Sequence, residues 1–109
     1  MSIKRFKVLY DDTAAGTGDW IRLDNRYDDG SEIRSLIVKL TAGDTATLQA
    51  TAKDVRGGDG SFVDDLLAKE IATLTIYTGD TNDLLEGPWT HIRVIKTGTA
   101  GNCYVAGYV

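Results

Sequence analysis

Four Gly-Asp dipeptides divide this chain into short segments, and they constrain the fold more than any other feature of the sequence. They stand at Gly18-Asp19, Gly43-Asp44, Gly58-Asp59 and Gly79-Asp80. Glycine adopts positive φ angles without steric cost, and aspartate hydrogen-bonds to nearby backbone, so each pair is typical of a turn. We therefore expect short strands joined by tight, acidic loops whose aspartates face solvent.

Alternating apolar and polar residues fill most of the intervals between these turns. The cleanest alternation places Leu48, Ala50 and Ala52 on one face of a segment and threonine, glutamine and lysine on the other. This is the period of a strand with one buried face. Thirteen of the 16 acidic residues are aspartate and threonine occurs 13 times, and both preferences favour turns and strands over helices.

The alternation predicts an all-β fold. Predicted strands cover residues 3–10, 19–23, 33–40, 47–53, 71–78, 89–96 and 102–109. Residues 62–70 fit either a single helical turn or a short strand, while residues 11–18 and 81–88 are predicted loops. No connection holds a crossover helix, so pairing should be antiparallel. We predict one domain over residues 1–109, an antiparallel β-sandwich of jelly-roll type with seven to eight strands.

Positions on the inward face of each predicted strand define the expected core. In the first strand, Phe6, Val8 and Tyr10 should share one face. Trp89 should be at least half buried, with Pro88 setting a rigid entry to its strand. The rest of the core is expected from Ile21, Leu23, Leu36, Val38, Leu40, Leu48, Leu74, Ile76, Ile92, Val94 and Val105.

The charge distribution is uneven. The net charge is −4, yet residues 1–10 carry three positive charges and no acidic residue. An acidic chain is a poor partner for nucleic acid, so no nucleic-acid partner is expected. The basic N-terminal segment either protects a sheet edge from unwanted pairing or steers the strand or arm toward an acidic neighbour. Its candidate interaction residues are Lys4, Arg5, Phe6 and Lys7.

Other compositional features exclude whole classes of protein. No run of 18 apolar residues is present, so no membrane partner is expected. The N-terminus lacks the apolar stretch and cleavage site of a secretory signal. Cys103 is the single cysteine, which excludes a disulfide framework and is compatible with synthesis in a reducing compartment.

The aspartate-rich loops do not match a calcium-binding pattern. Asp24, Asp28 and Asp29 precede Gly30, but Arg26 occupies a ligand position and the glycine comes one place late. The spacing of four further aspartates also fails this pattern: Asp54, Asp59, Asp64 and Asp65. We expect no metal and no cofactor.

No catalytic constellation is recognisable either. Nothing in the sequence places Glu32, Glu70 or Glu86 in one cleft, as glycoside hydrolysis requires. His91 and Cys103 are a conceivable nucleophile and base, but no third group or oxyanion loop accompanies them. Both are better interpreted as buried strand residues. We do not expect an enzyme.

The two tryptophans are the remaining candidates for recognition. Trp20 and Trp89 either anchor the core or form part of a protein interface, since large aromatics dominate both. A platform of exposed rings that stacks on sugars is the alternative, and it requires coplanar rings on one face.

Two segments resemble a known class of protein. The first is Gly16-Thr17-Gly18-Asp19-Trp20-Ile21-Arg22-Leu23. The second is Gly87-Pro88-Trp89-Thr90-His91-Ile92-Arg93-Val94, followed by Thr97-Gly98-Thr99 and a final strand. This ending is similar to small β-sandwich virion proteins of tailed bacteriophages, among them head decoration, cement and staple proteins. Residues 62–81 depart from the compact form of that class.

The resemblance implies a non-enzymatic structural protein of the virion. Such a protein is made in the host cytoplasm and binds the major capsid protein lattice at the capsid surface, as a homo-oligomer (a dimer or trimer). Two alternatives remain open from the sequence. One is a carbohydrate- or receptor-binding module of a tail or fibre, and the other is a tail or neck assembly component.

Overall fold

The computed structural model describes residues 6–23, 35–52 and 67–108, with only the backbone given at Phe6. The described chain is all-β and forms two antiparallel sheets. A single 3-10 turn at Ala68–Glu70 is the only helical segment in these ranges. The strands are β1 (Phe6–Asp12), β2 (Gly16–Thr17), β3 (Ile21–Arg22), β4 (Ser35–Leu40), β5 (Thr45–Thr51), β6 (Ala72–Tyr77), β7 (Thr81–Leu84), β8 (His91–Thr97) and β9 (Cys103–Tyr108).

The first sheet has the strand order β1-β9-β4-β7. β9 lies between β1 and β4, so that Tyr104 pairs with Asp11 on one side and with Lys39 on the other. β7 pairs with the free side of β4 and forms one edge of the sheet, while β1 forms the other edge.

The second sheet has the order β2-β8-β5-β6, and β3 also pairs with β8. β2 and β3 contact the same side of β8 one after the other, and the bond from Gly18 N to Val94 O (2.8 Å) lies between them. They therefore behave as one interrupted strand along the edge of this sheet.

Buried side chains from both sheets form one hydrophobic cluster. The alternation of β4 and β8 predicted it well: Leu36, Val38, Ile92 and Val94 are at most 1% exposed. Ile21, Leu74 and Trp89 pack against the cluster while partly exposed. Its other members are Leu9, Leu23, Leu40, Ala46, Leu48, Ala50, Tyr77, Cys103 and Val105.

A bulge in β1 makes the face predicted for this strand wrong. Val8 pairs with Ala106, but Tyr10 pairs with Val105, so Leu9 is an extra residue. Such an insertion changes which residues face inward. Leu9 is consequently buried (6% exposed) and Val8 is exposed (42%).

A second bulge has the same effect in β6. Leu48 pairs with Thr75 and Gln49 with Thr73, so Leu74 has no partner of its own across the pair. Beyond the bulge Tyr77 faces the core (5% exposed) and Ile76 faces outward (59% exposed). The prediction of Ile76 as a core residue is therefore wrong.

Two further predictions from local sequence are corrected. The segment 81–88 contains strand β7, because Thr81–Leu84 pairs with β4 despite a polar sequence without alternation. Ala52 lies beyond the end of β5 and is exposed, whereas Ala50 is fully buried. Pairing partners elsewhere in the chain decide both results.

The Gly-Asp pairs within the described residues lie between strands, but their aspartates do not all face solvent. Asp44 is 2% exposed. Asp80 Oδ1 accepts a hydrogen bond from Leu40 N (2.8 Å) and so caps the end of β4. Gly18-Asp19 separates β2 from β3. Gly58-Asp59 lies outside the described residues.

A buried ion pair joins three loops at one end of the two sheets. Lys96 Nζ lies 3.2 Å from Asp44 Oδ2, and neither side chain is more than 1% exposed. The ammonium also donates to the carbonyl oxygens of Thr13 and Gly98, each at 2.6 Å. All three ammonium hydrogens therefore have acceptors.

The carboxylate of this pair is equally well satisfied. Its Oδ1 accepts from Ala100 N (3.0 Å) and its Oδ2 accepts from Gly101 N (3.1 Å). The hydrogen bond from Ala100 does most to lower the pKa of Asp44, and those from Gly101 and Lys96 lower it further against the opposing effect of burial. The connections after β1, β4 and β8 are thus tied together.

Candidate interaction surfaces

The basic N-terminal segment begins strand β1 at the edge of the first sheet. Lys7 is exposed there. Lys4 and Arg5 lie outside the described residues, and the side chain of Phe6 is not described either. The placement of β1 at an edge leaves the backbone groups on its outer side without a strand partner among the described residues.

Trp20 lies on the outer face of the second sheet and is partly buried. The guanidinium of Arg93 stacks on its ring, with the Cζ atom 4.5 Å from the ring centroid. This is a cation–π contact. Arg93 occupies an outward position of β8, since its neighbours Ile92 and Val94 point into the core.

Arg93 extends this contact into a row of polar side chains across the sheet, which we call the Trp20 row. Arg93 Nε donates to Gln49 Oε1 on β5 (2.9 Å), and Gln49 Nε2 donates to Thr73 Oγ1 on β6 (3.3 Å). The row thus presents an aromatic ring, a guanidinium, an amide and a hydroxyl along one line. Polar groups placed beside an aromatic ring can fix the orientation of a bound ligand.

Trp89 does not belong to this row. It lies in the connection between β7 and β8, packs against the core and is more than half buried, as predicted. Its Nε1 donates to Glu86 O (2.9 Å) within the same connection. Trp89 therefore anchors the core, and its one polar atom is hydrogen-bonded to the backbone.

The outer face of the first sheet carries a second group of side chains, which we call the tyrosine face. Leu84 is 70% exposed and Val8 is 42% exposed, while Ile37, Tyr104 and Tyr108 are partly exposed. Ala106 lies among them and is fully buried, although it is not part of the core cluster. An apolar, aromatic sheet face of this kind is typical of a protein interaction surface.

The structure therefore does not bring the predicted site residues together. Lys7 lies on the first sheet, Trp20 on the outer face of the second, and Trp89 against the core. Arg93, Gln49 and Thr73 were missed as partners of Trp20, because only the register of three strands aligns them. The one local signal was their position on polar faces of alternating strands.

His91 and Cys103 lie far apart. His91 begins β8, whereas Cys103 is close enough to Lys96 and Asp44, near the other end of that strand, for their charges to affect its pKa. Lys96 is five positions along the strand from His91, a distance of about 16 Å. Burial is the main reason that the pKa of the Cys103 thiol is raised, the opposite of what activates a nucleophilic cysteine.

Candidate metal ligands are sparse in the described ranges. No group of three or more His, Cys, Asp or Glu side chains there could hold a metal ion. The aspartates weighed as calcium ligands, at positions 24, 28, 29, 54, 59, 64 and 65, lie outside those ranges. Within the same ranges no helix is long and apolar enough to cross a membrane.

Comparison of the chain with protein-family models, with curated proteins and with solved structures found no match.

Proposed function

We propose that the two sheets form a jelly-roll β-sandwich. The support is the nesting of the strand pairs: β1 with β9, the interrupted strand β2/β3 with β8, β4 with β7, and β5 with β6. These are the pairs of one long hairpin with its tip between β5 and β6. Rolling that hairpin adds the pairs β4–β9 and β5–β8, both of which are present. Jelly rolls are common among viral capsid proteins and lectins.

On this fold we propose a non-enzymatic virion structural protein, one that binds the capsid surface of a tailed phage and stabilises it. The sequence resemblance supports the assignment. Its second segment spans the entry to β8 and much of that strand, and the Thr97-Gly98-Thr99 turn leads into β9. The fold and the resemblance indicate only a general class of function, and specific surface residues must account for the binding.

The observation that carries the proposal is the edge position of β1, the strand that contains Lys7 and directly follows Lys4 and Arg5 in the sequence. Lys7 is exposed on β1, and among the described residues β1 has a strand partner, β9, on one side only. An open strand edge can add to the sheet of a neighbour, and positive charge beside it favours an acidic partner. Repetition over a symmetric capsid lattice amplifies a weak single contact.

Co-sedimentation with capsids tests this proposal. Capsids that lack this protein are purified from the phage whose genome carries the coding sequence. They are then mixed with the wild-type protein or with a charge-reversed variant. K4E/R5E/K7E should lose at least tenfold in capsid occupancy. K69E, which reverses an exposed lysine on the 3-10 turn, should bind as wild type does.

Two results would overturn the proposal. One is wild-type protein that stays in the supernatant at all concentrations. The other is the combined finding that the coding sequence lies outside the phage head genes and that this protein is missing from purified heads. Presence in isolated tails would instead support a tail or neck component.

The Trp20 row suggests a second candidate, a carbohydrate-binding module that uses a single ring, because Trp89 packs against the core and forms no stacking platform with Trp20. One face of the Trp20 ring is taken by Arg93, so a sugar would stack on the opposite face of the ring. A glycan array on which wild type binds and W20A does not would support this candidate. Binding that W20A retains would exclude the row as the sugar site.

A further inference from the structure

We propose that the tyrosine face is the surface through which two copies of this chain form a symmetric dimer. The inference goes beyond the proposed function, because it concerns a contact of this chain with itself.

The strand register orders the face into rows that run across β1, β9 and β4. One row consists of Asp11, Tyr104 and Lys39, in that order. The next row consists of Val8, Ala106 and Ile37. In both rows β9 supplies the middle residue.

These rows are complementary to themselves. A twofold axis that runs parallel to the strands and passes over β9 places β1 of one copy opposite β4 of the other. Asp11 then faces Lys39 of the second copy, and Lys39 faces its Asp11. Val8 meets Ile37, and Tyr104 meets its own counterpart. Such an arrangement satisfies the isologous geometry of a twofold dimer, and two sheets pack in this aligned way in sandwiches.

The charged groups that would pair are available. Asp11 and Lys39 are both exposed. Asp11 Oδ1 accepts one hydrogen bond, from Asn102 Nδ2 (2.8 Å), which leaves lone pairs on the carboxylate for an ammonium. Val8, an exposed large apolar side chain, would lose its contact with water in the dimer, whereas Leu84 on β7 lies outside the three facing strands.

The size of the face sets the expected affinity. The three strands that face one another, about 4.8 Å apart and about six residues long, span roughly 300 Å² of sheet in each copy. This is the size of a weak interface, so we expect a dissociation constant in the micromolar range. A lattice that holds many copies would reinforce such a contact.

The test is sedimentation velocity on purified protein from about 1 µM to 1 mM, and it uses no capsids, so it can fail independently of capsid binding. Wild type should dimerise within this range. D11K and K39E should each weaken dimerisation at least tenfold through like charges, and D11K/K39E should return to within about threefold of wild type. V8K should abolish the dimer, whereas K69E should not affect it. Circular dichroism and melting curves establish that each variant is folded.

Any of three results overturns the inference. Wild type that remains monomeric at 1 mM excludes a dimer of this kind. A dimer that tolerates V8K uses another surface. A double variant no better than the single ones shows that Asp11 and Lys39 do not face each other across an interface, because a purely structural effect of either residue would not be rescued by the swap.

Discussion

Replacement of Lys96 by methionine is the sharpest test of how this fold is held together. Methionine preserves the length of the side chain but removes its charge and its three hydrogen bonds. Asp44 is then a buried carboxylate without its counter-ion, and the carbonyl oxygens of Thr13 and Gly98 lose their ammonium donor. Removal of one partner of a buried pair typically costs about 3–5 kcal/mol.

This cost is large against the total. A domain of 109 residues has a free energy of unfolding of about 5–15 kcal/mol. With an unfolding entropy of about 2.1 cal/mol/K per residue, K96M should melt about 13–22 °C below wild type. The assay is calorimetry with urea unfolding at pH 7. K69M, at an exposed lysine, is the matched control and should shift the free energy of unfolding by less than about 0.5 kcal/mol.

The double variant D44N/K96M separates charge from packing. It removes the buried charge that K96M leaves unpaired, so it should be more stable than K96M alone. A K96M protein that melts within about 2 °C of wild type would refute the reasoning. So would a double variant less stable than K96M, because the unpaired carboxylate could then not be the source of the damage.

The same pair predicts sensitivity to acid. Hydrogen bonds from Ala100, Gly101 and Lys96 lower the pKa of Asp44 in the folded protein. A lowered folded-state pKa contributes stability above the unfolded value of about 4, and that contribution is lost as the pH falls through the folded-state pKa. Wild type should therefore lose stability below pH 4 more steeply than D44N/K96M in urea titrations at fixed pH values.

Three further predictions follow from the packing and from the buried titratable groups. Gly43 and Gly98 both have positive φ angles, 97° and 96°, but an added Cβ meets nothing at Gly43 and collides with Asp44 at Gly98. The free energy of unfolding in urea should therefore fall by at least about 1 kcal/mol more in G98A than in G43A. Equal losses would contradict this contact. L36A should lower the free energy of unfolding by about 2–5 kcal/mol and I76A by less than about 0.5 kcal/mol, because Leu36 is 1% exposed and Ile76 is 59% exposed. Similar losses in the two variants would contradict the bulge in β6. Burial raises the pKa of the Cys103 thiol and of two tyrosines, so their contribution to the free energy of unfolding should be constant up to about pH 8 and should decline as the pH rises past about 8.5–10. A melting temperature unchanged from pH 8 to pH 11 would contradict this. The tyrosines are Tyr10 and Tyr77.

Much of the architecture could be predicted from local pattern. The alternation in β4 and β8 identified Leu36, Val38, Ile92 and Val94 as core residues, and all four are buried. The Gly43-Asp44 turn was also predicted, and Asp44 N donates to Thr41 O there (3.1 Å). Period-two alternation and turn chemistry are properties of neighbouring residues, so the chain reveals them without reference to its partners.

The candidate surfaces could be predicted only in part. Trp20 was predicted as a candidate interaction residue, but its partners Arg93, Gln49 and Thr73 come from three strands that only the register aligns. The tyrosine face was not predicted at all. Val8 reaches that face because of the bulge at Leu9, and a bulge depends on how two distant strands pair.

The Gly-Asp pairs separate what local sequence determines from what only the tertiary structure determines. By itself the sequence determined that the chain turns at Gly43-Asp44, since that depends on local backbone preferences. The tertiary structure alone decided that Asp44 is buried, because Lys96 and the Ala100–Gly101 backbone, more than 50 residues away, satisfy its charge. The only sign of the buried ion pair in the sequence was Lys96, which shares the inward face of its strand with Ile92 and Val94. Its meaning depended on a partner that local pattern cannot identify.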